Sequence, residues 1–243
     1  MSDFRNFPQS SSAASVGIDQ GLRAYMLRVY NYMTFGLALT AGVAYATYSA
    51  AVGPNDKLTG FGEILFNGPL VLILMLVTVG LVFAMSFALE RMSVATAQLV
   101  FWTYAALNGV TFSLLGRVYS HASIFQVFLI TAATFGAMSL YGYTTKRDLT
   151  GLGSFLFMGL IGLLIASIAG IFIPSTALQK ALSVLGVLIF TGFTAYDTQA
   201  IKAMYYAGGS GLMEHAAIRG ALRLYLDFIN LFLSFLRLFG DRR

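Results

Sequence analysis

The sequence predicts an all-α membrane protein with seven transmembrane helices, and three observations carry that reading. Of the 243 residues, 58% are hydrophobic and only 10% are charged, where a soluble domain carries about 25% charged residues. Too few charges remain to clothe a surface that faces water. The apolar residues also come in runs of about twenty, the length a helix needs to cross roughly 30 Å of hydrocarbon. Finally, none of the runs alternates as barrel strands would, which leaves helix as the structure that satisfies its own backbone in lipid.

Residues 1–22, which open MSDFRNFPQSSSAASVGIDQ, are polar and serine-rich without the apolar core of a cleavable signal, and read as a flexible tail. Residues 23–243 read as a single seven-helix transmembrane domain. Apolar windows lie near 29–50, 67–89, 94–115, 122–143, 152–173, 179–200 and 218–239, and the first of them must act as an uncleaved insertion signal. The connections are short. On the fifth helix Gly162, Ala166 and Gly170, at steps of four, form a small-residue ridge that would let another helix approach closely. The ten methionines read as core filler, and GGSG at 208–211 reads as a loop.

Lys and Arg set the orientation. With the N-terminus inside, the inner face holds Arg5, Arg23, Arg28, Arg91, Lys146, Arg147, Lys202, Arg219 and Arg223, against Lys57, Arg117 and Lys180 in the outer loops, so a cytoplasmic N-terminus is favoured. Arg242 and Arg243 are the exception. Either the bias tolerates them, or the seventh helix is short or re-entrant and turns its end back. Tyr30, Tyr48, Tyr119, Tyr143 and Tyr205 sit near helix ends, where they fit an interfacial belt or, as readily, ordinary packing.

Several classes of chemistry drop out. The chain has no cysteine, which removes disulfides, thiolate metal sites and thiol nucleophiles. Its basic residues are scattered at segment edges rather than massed on a face, against nucleic acid as a partner. The only lysines are Lys57, Lys146, Lys180 and Lys202, so no seventh-helix Schiff base to retinal can form. No cofactor is expected.

Two acids sit well inside apolar segments, Asp197 on helix six and Asp227 on helix seven. A carboxylate at the centre of a membrane helix costs about 2.5 to 3.5 kcal/mol on insertion scales, so each needs a partner or a cavity. Counted from Lys202 and Arg219, their depths are roughly 7 to 8 Å and roughly 12 Å, about one turn apart. Helices six and seven are consecutive and antiparallel, so the two carboxyls can meet. Along helix seven Arg223, Asp227, Asn230, Ser234 and Arg237 recur at steps of four, three, four and three, one polar stripe on an otherwise apolar helix. Lipid would reject that stripe, which puts helix seven in the middle of the bundle.

Two carboxyls a few ångströms apart in low dielectric cannot both stay ionised, so the pair tends to share one proton and acts as a proton-sensitive latch. The plainer alternative is structural: Arg223, four residues before Asp227, neutralises it along the helix, and Asp197 hydrates near its helix end. Glu90 and Arg91, at the inner end of helix two, stand at a similar level; Arg91 either bridges to an aspartate or is a positive-inside anchor.

The strings AYDTQAIK, LYLDFINLFLSFLRLFG and TAATFGAMSLYGYTTKRDLTGLGSFLFMGLIG resemble the bacterial branch of the Bax inhibitor-1 family, over nearly the whole chain beyond the tail. That resemblance implies six helices wrapped around a central seventh, and a multi-pass protein of the bacterial inner (plasma) membrane. It also implies a pH-sensitive leak of calcium ions, with a di-aspartyl sensor that here would be Asp197 and Asp227 and a helix-two arginine latch that would be Arg91. No D-x-D-x-D-G loop is present, so any calcium site would be built from dispersed oxygens. The partners expected are the lipid bilayer, protons, calcium as transported ion and other membrane proteins.

Two rivals remain in view. A non-conducting regulator would bind a membrane-embedded protease or other membrane proteins. An intramembrane aspartyl protease would use Tyr196-Asp197 as half of its site, but Asp227 lies in LYLDF rather than GxGD and no PAL stretch follows, so no enzyme activity is expected.

Overall fold

The computed structural model describes residues 10–173, 175–207 and 213–243, with side chains from residue 20 onward except those of Ser86 and Glu90. Seven long helices account for most of it: α1 Ser10–Ala51, α2 Leu70–Ala88, α3 Val94–Phe112, α4 His121–Thr144, α5 Thr150–Phe172, α6 Thr176–Ala207 and α7 Met213–Phe239. Among the described residues there is no strand, only two isolated bridges, Val52 with Leu58 and Tyr119 with Arg242.

Helix starts follow local chemistry. Ser93 and Ser120 sit just ahead of α3 and α4 and accept the backbone N–H of Thr96 and Ser123 at 3.1 and 3.2 Å, each satisfying a donor the first turn would leave free. Ahead of α5 the exposed Asp148 carboxylate accepts from Thr150 twice, at 2.9 Å from its N–H and 2.6 Å from its hydroxyl. These two bonds hold the Asp148 carboxyl below its usual range. Its contribution to stability is therefore present above the ordinary aspartate range and fades as pH falls through the lowered value.

Two boundaries differ from the sequence reading. α1 begins at Ser10, inside the stretch read as a tail, because the run before Arg23 holds no proline and, despite Gly17 and Gly21, propagates a helix already nucleated by the apolar segment. Residues 1–9, and the loop containing GGSG, lie outside the described residues. The approach to α2 is broken: Gly60–Asn67 meets Leu70–Met85 at 59°, where Gly68 and Pro69 interrupt the helix.

α7 packs against α1, α3, α4 and α6, while α2 and α5 stand mainly on α3 and α6. Burial grades accordingly. α7 buries residues on every face, from Ala217 to Leu236, whereas α5 buries only Gly153 and Leu156 and turns Phe155, Ile165, Ile171 and Phe172 outward. An outward apolar face of that kind is stable only against lipid. Among the described residues four helical spans, Val94–Val118, His121–Thr144, Thr150–Phe172 and Thr176–Ala207, are long and apolar enough to cross a membrane, or five if the bent segment counts as one. The protein is a multi-pass helical membrane protein.

The helices alternate end for end. One end of the bundle collects Arg91, Lys146, Arg147, Lys202 and Arg219; the other collects Lys57, Arg117, Lys180 and the C-terminal Arg242 and Arg243. α7 runs unbroken between them. His215 in its first turn donates to the Met92 carbonyl at 2.9 Å, and beyond its last turn Arg243 N–H reaches the Val118 carbonyl at 3.1 Å.

Close helix contact occurs elsewhere than on the expected ridge. Gly162 has open space around it, whereas a methyl added at Gly142 of α4 would strike the Ala195 backbone of α6. α5 leans mainly on α6, and Gly162 lies on the face turned away from it. Gly142→Val should therefore cost about 3 kcal/mol of stability by overpacking against an immovable backbone, and Gly162→Val less than about 0.5 kcal/mol. Thermal unfolding of the two variants in detergent checks the contrast.

Candidate functional site

The AYDTQAIK segment of α6 sends successive side chains to different neighbours. Tyr196 covers Gly153 of α5. Thr198 lies 3.0 Å from the Ser139 hydroxyl of α4, which is 2.5 Å from the Tyr30 hydroxyl of α1. Gln199 clamps the α4–α5 loop, accepting from Leu149 N–H and donating to the Arg147 carbonyl, both at 2.8 Å. Lys202 donates to the Tyr143 carbonyl at 2.9 Å. Two side chains of the segment are directed at α7: Ile201, which packs on Gly220, and Asp197.

There it meets Asp227 side chain to side chain. Both are buried, at 9% and 5% exposure, and the Oδ2 of Asp227 has no hydrogen-bond partner. The cation of the cluster is Arg223, whose Nη1 lies 3.5 Å from Asp197 Oδ1. Arg223 thus reaches across to the neighbouring helix instead of running along its own to Asp227. One guanidinium faces two carboxyls, an arrangement neutral only when the pair holds one proton.

The other predicted residues fall outside this cluster. Asn230 and Ser234 turn back on their own helix, donating to the Leu226 and Asn230 carbonyls at 2.8 and 2.7 Å. Arg91 is exposed and follows the end of α2, where its neighbour Met92 contacts His215. His215 is twelve residues from Asp227, roughly 18 Å along α7, so the structure does not bring Arg91 to the pair. The Glu90 side chain lies outside the described residues. Among the described residues no three His, Asp or Glu side chains gather as they would around a bound metal.

Two tyrosines escaped the sequence reading. Tyr25, ahead of the first apolar window, is buried against Tyr205 with ring centroids 5.7 Å apart, feels the charges of Arg223 and Arg219, and has a hydroxyl without a partner. Tyr225, two residues before Asp227, is fully buried; its hydroxyl is 2.7 Å from that of Thr40, which also donates to the Ala105 carbonyl at 2.9 Å. Tyr225 thereby joins α7 to α1 and, through Thr40, to α3. Tyrosines within apolar helices look alike in sequence, and only their burial and neighbours in space single these two out.

A family model described as "Inhibitor of apoptosis-promoting Bax1" matches residues 22–243. The chain belongs to the Bax inhibitor-1 family. Among relatives of this Bax inhibitor-1 family chain, inner membrane protein YbhL of Escherichia coli (strain K12) is 46% identical over 242 residues, 98% of this chain and 99% of its own. Uncharacterized protein RP147 of Rickettsia prowazekii is 48% identical over 229 residues, covering 93% of this chain and 92% of its own. Uncharacterized membrane protein SpyM3_0260 of Streptococcus pyogenes serotype M3 is 40% identical over 227 residues, covering 91% and 94%.

Removing Arg223 takes away the cation that lies beside Asp197 and Asp227. Because Arg223 is 40% exposed, Arg223→Ala should cost about 1 to 2 kcal/mol, below the figure for a fully buried pair. Adding Asp197→Asn should recover most of it, and Arg91→Ala should change stability by less than about 0.5 kcal/mol. Melting curves of the three variants in one detergent test the set.

Proposed function

We propose that this Bax inhibitor-1 family protein is a pH-sensitive calcium leak of the bacterial inner membrane, gated by the carboxyl pair of Asp197 and Asp227. The observation that carries the reading is that pair, buried between α6 and α7 with Arg223 drawn across to Asp197. In this reading all seven long helices cross the membrane, α7 is the central one, and the N-terminus is cytoplasmic, the side on which most Lys and Arg then lie.

When the pair shares a proton, a single negative charge is balanced by Arg223 and α6 stays tied to α7. Loss of that proton adds a second, unbalanced charge in low dielectric, and the repulsion favours separation of the two helices. The negative charge so exposed draws a divalent cation into the gap. Arg223 takes the part of the tie in this scheme, since Arg91 stands near the end of the bundle. Calcium is the transported ion, held in passing by dispersed oxygens.

A second reading is a non-conducting regulator that docks on other membrane proteins. The observation in its favour is the lipid-facing ridge of α5, where Gly162 has no neighbour within 4 Å.

Purified protein in calcium-indicator liposomes separates the two. The leak reading expects flux that rises as pH increases through the titration of the pair, and a flat profile in Asp227→Asn, which cannot gain the second charge. Absence of flux at every pH would favour the regulator; a pH profile unchanged in Asp227→Asn would remove the pair from the gate.

A further inference from the structure

At the end of the bundle away from Arg91, α1 and α4 flank a cavity of about 380 Å3. Its walls include Ala44 of α1 and Phe125 of α4, and its floor is Phe228 and Phe232 of α7. Tyr45 and Phe125 at its edge are largely exposed, so the space opens sideways, at the level of the apolar spans. Thr40 and Ser113 also line it, but their hydroxyls are committed, to Tyr225 and Ala105 in one case and to the Val110 carbonyl in the other. Between Phe125, Phe228 and Phe232 the interior offers water little to bond to. An apolar space of this size, open to the acyl region, takes an apolar occupant.

The mouth has the opposite chemistry. His121 lines the cavity edge-on to Tyr48, ring centroids 5.2 Å apart, and its Nδ1 lies 3.2 Å from Arg243 Nη2. Arg117 donates to the Asp56 backbone carbonyl at 3.1 Å, and Arg243 lies 3.9 Å from the Asp56 carboxylate. Arg242 stacks over Tyr119 at 5.8 Å. Three guanidiniums and a histidine thus gather with two carboxylates, those of Asp56 and Asp241, where the helices end, and this rim, in which the cations outnumber the carboxylates, lies at the level of phospholipid phosphates. An apolar slot below a cationic rim matches one class of molecule in the surroundings.

We infer that this groove is a binding site for a single phospholipid, one acyl chain lying against Phe228 and Phe232 and the phosphate held by Arg117, Arg243 and His121. Such a lipid differs from the ordinary boundary layer because two helices wall it and α7 floors it. It also presses on α7 at the residue next to Asp227, so occupancy bears on the helix that carries the carboxyl pair. The site stands independently of any calcium flux.

The full chain, reconstituted in vesicles of phosphatidylglycerol and phosphatidylethanolamine and then extracted into mild detergent, gives the test by native mass spectrometry. Wild type should retain one phospholipid per chain through delipidating washes. Ala44→Trp, which fills the slot, should lower that occupancy at least tenfold, and Arg117→Ala with Arg243→Ala should lower it several-fold. A second measurement needs no variant: a phospholipid with a photoactivatable acyl chain should label the peptides carrying Ala44 and Phe128. No retained lipid in wild type, equal retention in Ala44→Trp, or labelling confined to the outer face of α5 would each overturn the proposal.

Discussion

The constraint on which the structure depends is the intolerance of hydrocarbon for the polar stripe of α7. A charged side chain facing acyl chains costs a few kcal/mol at the least, and α7 carries Arg223, Asp227, Asn230 and Ser234 within three turns. The neighbours remove that cost in two ways. Asn230 and Ser234 bond back to their own helix, while Arg223 and Asp227 are matched by an acid on α6. The remaining faces of α7 then bury large apolar groups such as Leu224, Tyr225 and Leu231, so one helix serves as both core and polar seam.

Because α6 supplies the matching acid, its own placement has to be exact to within a side chain, and the AYDTQAIK segment secures it. Thr198, Gln199 and Lys202 tie it to α4 and the loop after α4, and Tyr196 fills the space Gly153 leaves on α5. Movement of α6 away from α7 would strain its bonds to α4 and the loop after α4 and its packing on α5. The surroundings of Asp197 and Asp227 are thus coupled by direct contact to α4, α5 and the loop between them.

How much of this could be read from the chain alone varied with the physics involved. All seven apolar windows correspond to long helices within a few residues, except that α1 starts earlier and α6 runs on to Ala207. Bilayer thickness and backbone hydrogen bonding set those lengths, and both act on local sequence. The meeting of Asp197 and Asp227 was legible for the same reason, since two consecutive antiparallel helices put similar depths side by side. The partner of Arg223 was not. Spacing allowed it to pair along α7, and the choice of Asp197 instead is a matter of where α6 sits. Arg91 was misleading in the complementary sense, close in expected depth but distant in space.

By itself the sequence determined that the chain is helical, lies in a membrane and carries two acids that lipid cannot accept, because composition and periodicity act on each segment separately. Only the tertiary structure decided which cation answers those acids, that Tyr25 and Tyr225 belong to the buried interior around α7, and that α1 and α4 leave an apolar slot beneath a cationic rim. Those outcomes depend on contacts between residues far apart in the chain, and no local pattern records them.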